Sequence, residues 1–169
     1  MTTFDTIRLF AKMLRNLDQW LGKAEAHAKA KSFDPNVLVG QRLAPDMYEL
    51  AKQVQSSCDS AKFAASYLSG KAPPAHPDTE KTIAELHERI GKALAFVETV
   101  GEADLAGAAE RKVSPPWLKG AWLRGDDYLV QVAVPNFFFH VTTAYAILRH
   151  NGVDVGKMDY VGNLPIQTA

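Results

Sequence analysis

One cysteine, no run of basic residues and no long apolar stretch set the first limits on this 169-residue chain. The lone Cys58 excludes an internal disulfide and any paired-cysteine metal or redox motif, and it suits a reducing cytoplasm. Basic and acidic side chains number 19 each, so no net field favours nucleic acid or an anionic membrane surface. No apolar stretch reaches the ~20 residues of a membrane span. The longest candidate, Tyr128 to Leu148, is broken by Gln131, Pro135, Asn136 and His140. Met1-Thr-Thr-Phe-Asp5 carries acid where a secretory signal carries base and then an apolar run, so a cytoplasmic protein is expected. There is no His-Glu-x-x-His, no nucleophile elbow and no internal repeat. Gly152-x-x-x-Gly156-Lys157 is one residue short of a phosphate loop, has Met158 where Ser or Thr is needed, and follows a helix instead of leading into one.

What remains is a helix-forming chain of single-domain length, residues 1–169, long enough to bury a core without staples. Phe4, Ile7, Phe10, Ala11, Leu14, Leu17, Leu21 and Ala24 recur at helical spacing, which predicts a first helix from Thr3 to Ala30. A second is expected to begin at Ala44-Pro45-Asp46, where proline in the first turn loses nothing, and to end at Gly70. Its expected apolar face is Met47, Leu50, Ala51, Val54, Cys58, Ala61, Ala65 and Leu68, whose small residues admit a close neighbour. After a proline-rich connection, Asp78 and Thr79 are expected to cap a third helix with the stripe Ile83, Leu86, Ile90, Leu94 and Val97. Val113-Ser-Pro-Pro-Trp117 forbids a helix, and Lys119 to Arg124 has the pattern to pair with Arg111 to Val113 as a short hairpin. Tyr128 to Val134 is rich in β-branched residues, which by propensity alone form a strand.

The chemistry concentrates in Pro135-Asn-Phe-Phe-Phe-His140 and the residues up to Asn151-Gly152, where a basic pair and then Asn-Gly end a helix. Asn136 and His140 are four apart and share a face. That spacing serves two ligands of one metal or two groups of one buried polar network. Burying either group unpartnered costs about 1–3 kcal/mol, so partners are expected among Gln55, Asp59, Tyr48, Tyr145 or a trapped water.

The same stretch, with Gly156-Lys-Met-Asp159, Val54-Gln-Ser-Ser-Cys-Asp59-Ser-Ala-Lys62 and Asp78-Thr-Glu-Lys-Thr-Ile-Ala-Glu-Leu-His-Glu-Arg-Ile90, resembles a large bacterial family. That family is a domain of unknown function grouped with the DinB/YfiT-like four-helix bundles. The resemblance implies an all-α four-helix bundle, with a short irregular or hairpin segment before a last helix that begins near Asp126 and kinks at Pro135. It also implies a homodimer paired through bundle helices. DinB-like enzymes hold a divalent metal with one His on the second helix and a His-x-x-x-His pair on the fourth. In that register His140 is the second His of the pair and Asn136 replaces the first. No His occurs between Asp46 and Gly70, where Cys58 and Gln55 are the nearest inward candidates.

No cofactor is therefore expected, with zinc or nickel on His140, helped by Cys58 and a water, as the alternative. The candidate pocket or polar network comprises Asn136, His140, Gln55, Cys58, Asp59 and Tyr145. Cys58 reads as an inert core thiol and His87 as a residue at the core edge. His27 and His76 read as solvated, and His150 as a helix-end cation. Trp117, Trp122 and Tyr128 read as a satellite core. Met158, Tyr160, Val161 and Leu164 are expected to anchor the C-terminal segment over the bundle end or over a second subunit. The resulting expectation is a dimeric small-molecule-binding or structural protein lacking an intact metal triad. The alternative is a metal-dependent enzyme of thiol transferase or hydrolase type working around His140.

Overall fold

The computed structural model describes residues 1–167. Four long helices make the body: α1 (Thr3–Lys31), α2 (Leu50–Ser69), α3 (Ile83–Val97) and a last helix in three pieces. These pieces are α4 (Gly125–Tyr128), a π turn (Leu129–Ala133) and α5 (Val134–His150). α1 packs on α3 and α5, α2 packs on α3 and α5, and α1 approaches α2 across the diagonal. The core runs through Phe10, Leu14, Trp20, Leu50, Val54, Leu86, Ile90, Phe137 and Ile147, all buried. Ala51, Ala61, Ala64 and Ala65 on α2 keep its surface low enough for this approach.

Capping follows elementary rules in two helices. Thr2 and Asp5 close a capping box at the start of α1, and Thr82 and Glu85 close another at α3. The expected starts of the second and third helices are corrected. Residues 44–49 form a turned segment, because the first-turn N–H groups of Leu50 and Ala51 already donate to the carbonyls of Gln41 and Val39. Asp78 and Thr79 lie before the third helix, where Asp78 is held by Lys52 and by Arg89.

The hairpin forms as β1 (Lys112–Val113) against β2 (Leu123–Arg124), antiparallel, with Lys112 opposite Arg124 and Val113 opposite Leu123. Gly125 follows directly. A Cβ there would lie 1.9 Å from the Ala108 carbonyl oxygen, so only glycine lets the last helix start against this backbone.

The β-branched run Tyr128–Val134 is helical, against its local propensity, because Tyr128, Leu129 and Ala133 are buried. Pro135 lacks an N–H and so removes one rung of the ladder. The helix widens one turn earlier, with the Val134 N–H reaching back to the Leu129 carbonyl.

After α5 the chain turns back as α6 (Lys157–Val161) along α1. Asn16 and Trp20 donate to the Tyr160 and Asp159 carbonyls at 2.9 and 3.1 Å, and Trp20 stacks on Tyr160. The C-terminal segment therefore folds over its own bundle. Leu164 and Met158 are exposed and are not among its anchors.

No described helix is long and apolar enough to cross a membrane.

Candidate functional site

His140 lies on α5 where that helix crosses α2, and only 9% of its surface is exposed. Its Nδ1 is 2.8 Å from the side-chain oxygen of Gln53. The Gln53 amide nitrogen donates to the Tyr48 carbonyl at 3.2 Å, and this fixes the amide's orientation. The Gln53 oxygen must then accept, so the Nδ1 of His140 carries the proton. The lone pair sits on Nε2, which has no protein partner among the described residues and is not among the sealed unpartnered atoms. Burial, and then the charge of Lys52, push the His140 pKa below the ordinary histidine value. The imidazole is therefore neutral near pH 7, single in tautomer, with its basic nitrogen free.

That nitrogen belongs to the floor of an open cleft of about 630 Å³ between α2, the π turn and the hairpin. This is the size of a small-molecule site. Asn136 lies one turn before His140 and donates to the Ser60 hydroxyl at 2.7 Å, which in turn donates to the Ser56 carbonyl at 2.7 Å. Phe63 stacks on Tyr67, and Tyr67 meets Tyr128 edge to face, so three rings form one wall. Pro115, Pro116 and Trp117 of the hairpin form the opposite rim. Trp117 and Trp122 are mostly exposed instead of forming a satellite core; Trp122 lies under Lys112.

Behind the cleft lies a second polar cluster. The Arg89 side chain is 1% exposed and meets Asp59, Asp78 and Glu80 at 2.9, 3.1 and 3.2 Å. Lys62, also buried, meets the same Asp59 oxygen at 2.8 Å. Asp59 thus faces the cleft with one edge and the charge cluster with the other.

The expected site set is corrected at three residues. Gln55 sits on another face of α2 and donates to Glu80 at 2.9 Å, because two positions along a helix turn the side chain by some 200°. Cys58 is fully buried in the core, and burial pushes its thiol well up. Tyr145 packs on Trp20 and Tyr160 and donates to the Val155 carbonyl at 3.3 Å, on the α6 side of the bundle. His87 lies at the core edge facing α1, with Asp18 2.5 Å away. His76 is half-buried and its Nδ1 is sealed without a partner.

The sequence reading missed Gln53, Ser60, Arg89 and Trp117. A signal for the first two is present: Gln53, Ser57 and Ser60 recur at helical spacing as a polar stripe on α2.

Zinc or nickel sites require imidazole, thiolate or carboxylate donors. The cleft offers one imidazole nitrogen and one carboxylate, Asp59, that is already held by Arg89 and Lys62, while the Gln53 oxygen is taken by His140 and the Cys58 thiol is sealed. Among the described residues no group of three or more His, Cys, Asp or Glu is placed to hold a metal ion. The donor set does not fit a resident transition metal.

Residues 4–161 match the family described as Domain of unknown function (DUF1993). The chain belongs to that family. DUF1993 membership agrees with the resemblance carried by the sequence blocks. The structure is similar to the crystal structure of a DinB family member protein from Shewanella denitrificans, at 45% sequence identity and a TM-score of 0.94. The similarity covers 98% of this chain and 95% of that one, so the DUF1993 bundle here has the all-α DinB-like fold. No curated protein matches the chain.

Proposed function

We propose that this DUF1993 chain is a cytoplasmic small-molecule-binding bundle protein. Its ligand sits in the cleft against His140, and its site works without a resident metal. The supporting observation is the oriented imidazole: the Tyr48 carbonyl, Gln53 and His140 form a relay that delivers one free, neutral Nε2 to an open cleft. A sealed structural network would have given that nitrogen a protein partner. The reading includes a homodimer, supported by Val130 and Phe139, which lie exposed on the outer side of the last helix.

The same relay favours one second reading, catalysis with Nε2 as general base and no metal. A neutral histidine held in one tautomer by an amide is a competent proton acceptor at neutral pH.

A fragment screen by nuclear magnetic resonance tests the first reading. Fragments are expected to move the side-chain signals of Asn136 and His140, and a screen in which none does so removes the ligand site. Metal analysis of untagged protein is expected to find no stoichiometric zinc or nickel. About one metal per chain, lost in His140→Ala, would reinstate the metal centre. Light scattering is expected to give a dimer mass that falls in Phe139→Glu; a monomer at micromolar concentration rejects the dimer.

A further inference from the structure

The polar atoms that the cleft leaves open are mostly acceptors. His140 presents a bare Nε2, and Asn136 turns its nitrogen to Ser60, leaving Oδ1 free. Asp59 gives one carboxylate oxygen to Arg89 and Lys62, and its other oxygen has no partner among the described residues. Among the described residues no Lys or Arg lines the cleft. An anionic ligand would find no cationic side chain among the described lining residues and would meet the Asp59 carboxylate, which disfavours phosphates and carboxylic acids. Phe63, Tyr67, Trp117 and Tyr128 line the walls, and aromatic rings attract cations through the ring quadrupole. The protein already uses this attraction beside the cleft, where the Lys62 ammonium lies 4.7 Å from the centroid of the Phe63 ring. Lys52, Lys62 and Arg89 are matched one for one by Asp59, Asp78 and Glu80, so these six charges set no net sign and the preference rests on the open acceptors and the aromatic rings.

We infer that the cleft takes an organic amine in its cationic form. The N–H groups would donate to His140 Nε2 and Asn136 Oδ1, and the apolar body would lie along Phe63, Tyr67 and Tyr128. This inference rests on the reading of the cleft as a ligand site. It adds the chemical class of the ligand: a compact ammonium or amidinium with an aromatic or aliphatic body.

The test uses three probes of matched shape on the full chain at pH 7.5: tryptamine, neutral indole and the anion indole-3-acetate. Binding is followed by isotope-edited resonance of the His140 ring nitrogens and the Asn136 side-chain amide. Tryptamine is expected to bind about tenfold more tightly than indole, the scale of one or two cation–π and charge-assisted contacts. Indole-3-acetate is expected to bind more weakly than indole. The His140 Nε2 signal is expected to move with tryptamine alone. Asn136→Ala and Tyr67→Leu, both outside the buried charge cluster, should each lower tryptamine affinity several-fold and leave the melting temperature nearly unchanged. Equal binding of all three probes at the cleft, or preference for the anion, overturns the cationic class and leaves the ligand site standing. Cleft signals unmoved by every probe overturn both.

Discussion

Helix α2 carries two polar clusters that differ in every physical respect. The cluster around Arg89 is charged and built on a buried guanidinium. Its guanidinium is ringed by three carboxylates and by the Pro77 carbonyl, which ties residues 77–80 down onto α2 and α3. The cluster around His140 is neutral and open, and it stops one partner short of completion at Nε2. A buried guanidinium met by three carboxylates holds a fold together, because removing one partner of a buried ion pair leaves the other uncompensated; of the Arg89 nitrogens, Nε alone lacks a partner among the described residues. A neutral group left one hydrogen bond short at a cleft wall has little structural purpose, and it is available to a ligand. Asp59 belongs to the charged cluster and also lines the cleft beside His140.

The comparison breaks most visibly at Arg89. Arg89→Ala removes the one cation among the described residues that meets Asp59, Asp78 and Glu80 together and is expected to cost about 3–5 kcal/mol in urea unfolding. A loss below 1 kcal/mol would show that the cluster is solvated and not structural. Next comes Gln53→Ala, which strips His140 of its acceptor and leaves the Tyr48 carbonyl without that donor. A cost of about 1–3 kcal/mol is expected. The more telling change is in tautomer: ring-nitrogen shifts of His140 should lose the signature of a single Nδ1–H form. An unaltered tautomer would mean that Gln53 does not orient the ring.

The pH response sharpens the contrast further. Folding lowers the pKa of His140 by burial and by Lys52, and that of His76 by burial, Lys62 and Arg89. The unfolded chain therefore binds these protons more readily than the folded one. Their contribution to stability is complete above the ordinary histidine pKa of ~6.5 and is lost as the pH falls below it. Unfolding free energy should decrease from pH 7.5 to pH 5, and the decrease should shrink in His140→Gln. A rise on acidification would reverse the assignment of His140 as a neutral, desolvated ring.

How much of this was legible in the sequence depends on whether the cause was local. The stripe from Phe4 to Ala24 placed α1 almost to the residue, and the Val113-Ser-Pro-Pro stretch located the hairpin and its partner segment. The starts of α2 and α3 were misplaced because their first turns are satisfied or anchored from a distance. Gln41 and Val39 accept from α2, while Asp78 belongs to Lys52 and Arg89. Thr82-Ile-Ala-Glu85 nevertheless spells a capping box, which local reading alone could have preferred. At the site, Asn136 and His140 were visible as one face of one helix. Choosing Gln53 over Gln55 required the rotation of α2 about its axis, which is set by packing against α5 and α3. Arg89 sits beside Ile90 in an apolar stripe, and its burial depends on the return of residues 77–80, which no local pattern encodes.

The smallest expected effect on stability separates the clusters most cleanly. Asn136 is exposed, and its contact with Ser60 is a single neutral hydrogen bond at the edge of the cleft. Such a bond contributes about 0.5–1.5 kcal/mol net, and water can replace the lost partner at an exposed position. Asn136→Ala should therefore shift the unfolding midpoint little and leave the His140 tautomer intact. It should still weaken any ligand that moves the His140 signal, because the second acceptor one turn from Nε2 is gone. Arg89→Ala should show the opposite pattern, a large loss of stability with cleft binding retained in whatever fraction remains folded. If instead both variants lose stability and binding together, the two clusters are one cooperative unit, and the division of α2 into a structural face and a ligand face fails.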